Sequence, residues 1–178
     1  MNSIVKYVTI IMIALCFSCE EGNDFIQLGM EYQGGKVFYL DKSGKHGLIA
    51  APEDFSVLAP WGCINRVAPG ANFTHFGVGK NNTNVILEYC DGFNAARLCS
   101  ELSVGGFEDW YLPSKDELEI MFQNRGHIGN MRNGVYEPYW SSSQYEPTLQ
   151  AFILDFGNGL SFPQDKANLY WVRAIRSF

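Results

Sequence analysis

Strand-like segments at both ends of the chain, with helical segments between them, predict an α+β domain. Three observations carry that expectation. The stretch GGKVFYLDKSGKHGLIAAPED (residues 34–54) sets two apolar runs on either side of a glycine-bounded turn. The stretch SKDELEIMF (114–122) opens on a Ser-x-x-Glu capping box and keeps Leu118, Met121 and Phe122 on one helical face. After Asn133 the chain becomes short, aromatic and β-branched segments broken by glycine, proline and asparagine. The terminal strands are expected to meet in one antiparallel sheet accompanied by two to three helices. At 178 residues and 47% hydrophobic, the chain has the size and content of one domain with its own core.

The first 18 residues are set apart from that domain. They carry one lysine, Lys6, an apolar run from Ile10 to Phe17, and Ser18 just before Cys19, the shape of a signal peptide ending in a lipoprotein lipobox. Cys19 is the expected lipidation residue, residues 19–28 a lipidated tether beginning with EEGND, and residues 29–178 the domain. The apolar run falls short of the ~20 residues a membrane-spanning helix needs.

Within the domain, the turn KSGKHG (42–47) closes a β-hairpin. Residues 61–82, rich in Gly, Asn, Pro and Thr, read as a long loop, ordered by burial of Trp61, Phe73 and Phe76. Helical spacing follows over 83–87 and 93–102, broken at Asp91-Gly92, with Phe93, Ala96, Leu98 or Cys99, and Leu102 facing inward. The corner GGFEDWYLP (105–113) then precedes the best-specified helix. Its glycines permit unusual backbone angles, Asp109 can accept bonds from turn amides, Trp110 and Leu112 can enter the core, and Pro113 blocks an early helix start. Ser114 reads as an N-cap. A nucleophile elbow would need Gly-x-Ser-x-Gly with a base nearby. A tight hairpin is expected around Gly157-Asn158-Gly159.

Charge and cysteines narrow the partners. The formal net charge is −6; loss of residues 1–18 removes Lys6 and no acid, leaving 12 basic and 19 acidic residues, net −7. With its basic residues scattered, such a chain is not expected to bind nucleic acid. Beyond Cys19 remain Cys63, Cys90 and Cys99, and an oxidising compartment predicts one disulfide and one leftover thiol. Cys63, Cys90 and Cys99 have no Cys-x-x-Cys spacing, and a site built with His46, His75 or His127 would have to join distant loops, so no metal or cofactor is expected. Glu108-Asp109 and Asp116-Glu117 have structural explanations at a turn and a helix start, which leaves little for a glycosidase pair.

In combination, GGFEDWYLPSKDELEIMFQN, YWSSSQY, FILDFGNG and YWVRAIRSF resemble the domain family named after the C-terminal domain of the Legionella collagen-like adhesin. GGKVFYLD, WGC, GKNNTNVI and AARLC extend the likeness back to about Gly29. The resemblance implies a fold similar to the C-type-lectin-like and formylglycine-generating-enzyme folds. It does not extend to the oxidase's reactive cysteine pair, since no cysteine follows Cys99, nor to the calcium signature of C-type lectins.

From that likeness Trp110, Pro113, Ser114, Glu117, Trp140 and Arg173 are expected to be structural, with Phe152, Leu154 and Trp171 also in the core. Many relatives match a cysteine at the Cys99 position with one in the last strand, where this chain has Ala174. The preferred pairing is then Cys63 with Cys90, leaving Cys99 as a buried thiol; Cys90 with Cys99 is the alternative. The late-strand loops are the implied ligand face, with Gln144, Tyr145, Phe162, Asp165, Asn168 and Tyr170 as its candidate residues.

The expected protein is a non-catalytic outer-membrane lipoprotein, surface-exposed, attached through its N-terminal lipid only and binding a glycan or protein ligand. The alternative is a structural or assembly subunit of a pilus or envelope complex. Arg173 and Arg176 are expected on opposite faces of the last strand, which argues against copying the adhesin's sulfated polyanion ligand.

Overall fold

The computed structural model describes residues 25–145 and 149–178; the expected signal peptide over residues 1–18, the expected lipidation residue Cys19 and the expected tether up to residue 24 lie outside the described residues. Among the described residues, two antiparallel sheets and four helices make an α+β fold. The first sheet has the order β1 (Glu31–Tyr32), β2 (Gly35–Leu40), β3 (Gly47–Ala50), β7 (Ile175–Ser177). The second runs β4 (Pro138–Tyr145), β5 (Gln150–Asp155), β6 (Ser161–Asp165). Between them in sequence come α1 (Gly79–Tyr89), α2 (Ala95–Ser100), α3 (Lys115–Gln123) and α4 (Arg125–Ile128).

The closing strand does return to the first hairpin, with Ile49 opposite Arg176. The expectation of one shared sheet fails for the aromatic segments, which form a sheet of their own. The reason lies in hydrogen bonding along β4. Ser142 N–H donates to the Pro113 carbonyl and Gln144 N–H to the Ala71 carbonyl, both at 2.7 Å. These bonds give that part of the strand over to the corner and the long loop. A register shift between Trp140 and Gln144 accompanies this.

The first sheet is covered on both faces. Val37 and Ile49 enter one cluster with Trp61, Ile86, Trp110, Leu112, Trp140 and Ile153. Phe38, Leu48 and Ala50 enter a second with Tyr111, Leu118, Met121, Tyr139 and Phe156. Strand β3 is accordingly buried at every position and shows no alternation.

Several sequence expectations shift in detail. Helix α1 begins at Gly79 rather than near residue 83; its first turn is glycine, lysine and two asparagines, and the glycine and asparagines, as poor helix formers, give no sequence signal of that start. A fourth helix, one turn long, follows Asn124, where two to three were expected. Trp61 is fully buried and its Nε1 donates to the Ser141 carbonyl at 2.8 Å. Phe73 and Phe76 stay 49% and 42% exposed. The loop around them is held instead through its backbone: the Ser143 hydroxyl and the Asn82 amide donate to the Phe73 carbonyl, the Ser114 hydroxyl donates to that of His75, and Asp116 N–H donates to that of Thr74. A Cys63–Cys90 disulfide ties the same loop to the end of α1. Cys99 is a free, buried thiol pushed well up by its burial.

At the corner, Gly105 has φ +64° and backs directly onto Gly34 (φ +88°), where a Cβ would come within 2.6 Å of the Val104 carbonyl. Only glycine fits that backbone contact. Trp110 and Leu112 are buried as expected. Asp109 departs from the expected amide acceptor: both carboxylate oxygens receive Arg176, at 2.7 and 3.1 Å.

The hydrogen bonds from Arg176 hold the Asp109 carboxyl below its ordinary range. A carboxyl lowered in the fold contributes stability that is present above its unfolded value of ~3.9 and lost as pH falls through the folded value. The Asp109 side chain is 41% exposed, so the contribution is expected to be under ~1 kcal/mol. Urea unfolding from pH 7 to pH 2 should show a shallower acid-side loss in Asp109→Asn than in the wild type; identical slopes would remove this role.

Candidate functional site

The motif residues come together as bracing. Ser114 caps α3 by accepting from Glu117 N–H at 3.3 Å, while the Glu117 carboxylate accepts Ser114 N–H at 2.7 Å, completing the capping box. The Ser114 hydroxyl itself donates to the His75 backbone carbonyl, and its side chain is fully buried. Trp140 is buried with its Nε1 on the Ala59 carbonyl at 2.9 Å. Arg173 is buried and takes a different partner from Arg176: its guanidinium meets Asp54 at 2.8 Å and the carbonyls of Pro52, Gly129 and Asn130. Of the other side chains expected in the core, Phe152 and Trp171 are only half-buried, while Leu154 is buried.

The six candidate ligand residues do not form one surface. Residues paired across a sheet share a face. Gln144 pairs with Ala151 and Phe162 with Ile153, both pointing at the core. Gln144 is 1% exposed, and its Oε1 accepts Ala68 N–H at 2.8 Å and the Lys166 ammonium at 2.5 Å. Phe162 is half-buried against the core. Tyr145 and Asp165 both pair with Gln150 on the opposite, outward face. Tyr145 is 39% exposed and meets Phe152 edge-on. Asn168 and Tyr170 sit together after β6: the Asn168 amide donates to Gln164 Oε1 and to the Tyr170 hydroxyl, which also donates to Gln164.

Around Tyr170 the structure builds a surface that no run of sequence announces. A groove of about 210 Å³ is lined by Leu58, Tyr136, Pro138, Leu169, Tyr170 and Trp171. Tyr136 and Leu169 remain 51% and 56% exposed. Partial burial and hydrogen bonding with Tyr170 push the Tyr136 phenol up to about 12. Beside it lies a larger polar cleft of about 550 Å³ that includes Glu53, Asp54, Asn130, Arg132, Asn133 and Glu137.

Trp171 joins the two concavities. Its Nε1 donates to the Glu137 carboxylate at 2.9 Å, and the Arg132 guanidinium lies 3.9 Å from its ring centroid. Asp54 anchors the cleft floor, bonded by Arg173 and, at 2.7 Å, by the Tyr139 hydroxyl. Burial pushes the Asp54 carboxyl up and the Arg173 guanidinium down, each against the pull of its partner. Among the described residues, no three His, Cys, Asp or Glu side chains converge as a metal site would require.

Glu53, Asp54, Arg132, Tyr136 and Glu137 carry no sequence motif. The available signal was Val135-Tyr136, apolar residues in a stretch (129–137) with neither helical nor strand spacing; they are 95% and 51% exposed.

A two-sheet α+β domain is thus held by Trp, Ser, Glu and Arg motifs, and it offers an aromatic groove and a polar cleft at the loops beside them. Residues 66–176, most of the chain, match the Lcl C-terminal domain family, and the chain belongs to that family. No curated protein matches the chain. Strands β1 to β3 precede the matched region yet complete the sheet that contains β7.

Removing one member of a buried ion pair leaves the other charge uncompensated. Arg173→Ala is therefore expected to cost about 3–5 kcal/mol in denaturant unfolding. Asp54→Ala/Arg173→Ala together should cost less than the sum of the single changes, by roughly 0.5–3 kcal/mol. Strict additivity would separate the two residues.

Proposed function

We propose that the protein is a non-catalytic cell-envelope lipoprotein, facing the cell exterior, that binds a glycan or protein ligand through the Tyr136–Tyr170–Trp171 groove and the adjoining polar cleft. Family membership suggests a cell-surface-associated domain. The supporting observation is the juxtaposition itself: half-exposed aromatic rings lie next to a cleft of carboxylates, amides and one guanidinium, with Trp171 of the groove held to Glu137 and Arg132 of the cleft. Rings that stack and planar polar groups that bond are what sugars and peptides require. A net charge of −6 argues against a polyanionic ligand.

The second reading, a structural or assembly subunit, draws on the apolar side chains that line the groove, Leu58 and Leu169, which are 39% and 56% exposed. In that case the same surface is a subunit interface.

A glycan and host-matrix array on soluble protein beginning at Glu20 tests the assignment. Tyr136→Ala and Arg132→Ala are each expected to weaken binding about tenfold, the scale of one lost stacking or charged contact. Loss of binding on Tyr145→Ala and Asp165→Ala, with Tyr136→Ala silent, would move the site to the opposite face. A fixed partner on co-purification and no array signal would favour the assembly reading.

Membrane attachment rests on the acyl chain in this proposal, and no helix of the described residues is long and apolar enough to cross a membrane. Cys19→Ser should therefore shift the protein from the membrane fraction to the soluble one. Retention of the variant in the membrane fraction would overturn lipid anchoring.

A further inference from the structure

The groove beside Trp171 and the cleft next to it hold more acid than the fold itself uses. Glu53 is exposed and Glu137 half-buried in the cleft lining, and each gives one carboxylate oxygen to the fold. Glu53 Oε1 accepts the Asn130 amide at 3.0 Å, and Glu137 Oε2 accepts the Trp171 indole N–H at 2.9 Å. Among the described residues, their other oxygens accept no hydrogen bond and neither residue forms an ion pair. The nearby cations are already engaged: Arg173 bonds Asp54 at 2.8 Å, and Arg132 lies on the Trp171 ring, 3.6 Å from the same Asp54. Neither concavity has a lysine or histidine in its lining among the described residues.

Asp155 is an independent second observation. It is fully buried; Oδ1 accepts the N–H groups of Glu137 at 2.8 Å and Gly157 at 2.9 Å, while Oδ2, equally enclosed, has no partner among the described residues. Asp155 stands directly across the strand pair from Pro138, which lines the groove, and residues paired in this way share a face. Burial, the bond with Tyr170 and, last, the charge of Asp155 push the Tyr136 phenol up, so this carboxylate acts on the groove wall. A buried anion with an unpartnered oxygen is costly, and in a low-dielectric wall its field reaches what binds nearby. Glu53, Asp54, Glu137 and Asp155 thus outnumber the two arginines around a surface whose rings can stack on a cation.

We propose that the ligand of this surface is a protein presenting a basic side chain, arginine or lysine, beside an apolar one. The apolar group enters the Tyr136–Tyr170 groove, and the cation meets the free oxygens of Glu53 and Glu137, favoured by the buried charge of Asp155. This rests on the reading of groove and cleft as a binding surface and selects protein over glycan as what they bind.

Acetyl-Leu-Arg-amide and acetyl-Leu-citrulline-amide, which differ in charge at nearly the same shape, are titrated into the detergent-solubilised full chain at constant ionic strength, with the Trp171 indole N–H resonance as readout. The arginine peptide is expected to shift it saturably and to bind about tenfold more tightly than the citrulline peptide. Glu53→Gln and Asp155→Asn, the latter keeping an acceptor for Glu137 and Gly157, should each weaken the arginine peptide about threefold and leave the citrulline peptide unchanged. Where Asp155→Asn does not fold, Glu53→Gln, at an exposed residue, decides. Equal affinity for the two peptides, or a preference unchanged in Glu53→Gln, would overturn the proposal. A glycan-array signal lost on Tyr136→Ala, with neither peptide shifting Trp171, would keep the binding surface and overturn this choice of ligand; silence of both array and peptides would overturn the two together.

Discussion

The buried carboxylate of Glu117 is the constraint around which the middle of the chain is arranged. One oxygen accepts the backbone of Ser114 and fixes the first turn of α3; the other reaches Gly77, just before α1. Two helix starts that are distant in sequence are thereby held at one point. The cost is desolvation, which pushes the Glu117 carboxyl up despite the N–H groups around it. The arrangement also dictates a neighbouring residue: a Cβ at Gly79 would collide with the carboxylate, so the first residue of α1 is glycine although glycine is a poor helix former.

From that point the bracing spreads outward through backbone groups. Ser141, Ser142 and Ser143 bind the Phe152 carbonyl, the Pro113 carbonyl and the Phe73 carbonyl respectively, so β4 is attached to its neighbour, to the corner and to the long loop in three successive residues. Trp61 and Trp140 reinforce the same junction through their indole N–H groups. The long loop contains little regular structure, yet its carbonyls are satisfied from several directions, which is how an irregular segment can pass through the interior at tolerable cost. Arg173 and Arg176 extend the scheme at the closing strand, one to Asp54 and one to Asp109.

What could be read from sequence follows the range of each interaction. The capping box, the hairpins and the glycine pair before Trp110 are local, and their residue types state their geometry. The Cys63–Cys90 bond had one main alternative, Cys90 with Cys99. The second sheet was not legible, because its separation from the first depends on hydrogen bonds between β4 and residues 71 and 113. The scattering of the proposed ligand residues was hidden for a related reason. Strand register decides which face Tyr145 and Gln144 occupy, and the register shift between Trp140 and Gln144 lies within that strand. Lys166 shows the same limit: a lysine in a polar stretch reads as surface, whereas it is buried 4.4 Å from the Trp61 ring centroid with its ammonium on Gln144.

These assignments explain why membership of the family says more about shape than about ligand. The residues that make the motifs recognisable, Trp110, Ser114, Glu117, Trp140, the three serines and the two arginines, are used largely in holding the chain to itself. The groove and polar cleft instead draw most of their lining from loops outside those motifs, among them Arg132, Tyr136 and Glu137. A side chain whose hydrogen bonds are already met inside the fold has little left to offer a partner, while a loop residue fixed only at its backbone can change identity without disturbing the frame. The same frame can therefore carry different surfaces. In this chain that surface combines stacking rings with a mainly acidic cleft on an acidic protein, a combination suited to neutral or cationic partners and unfavourable to sulfated or phosphorylated ones.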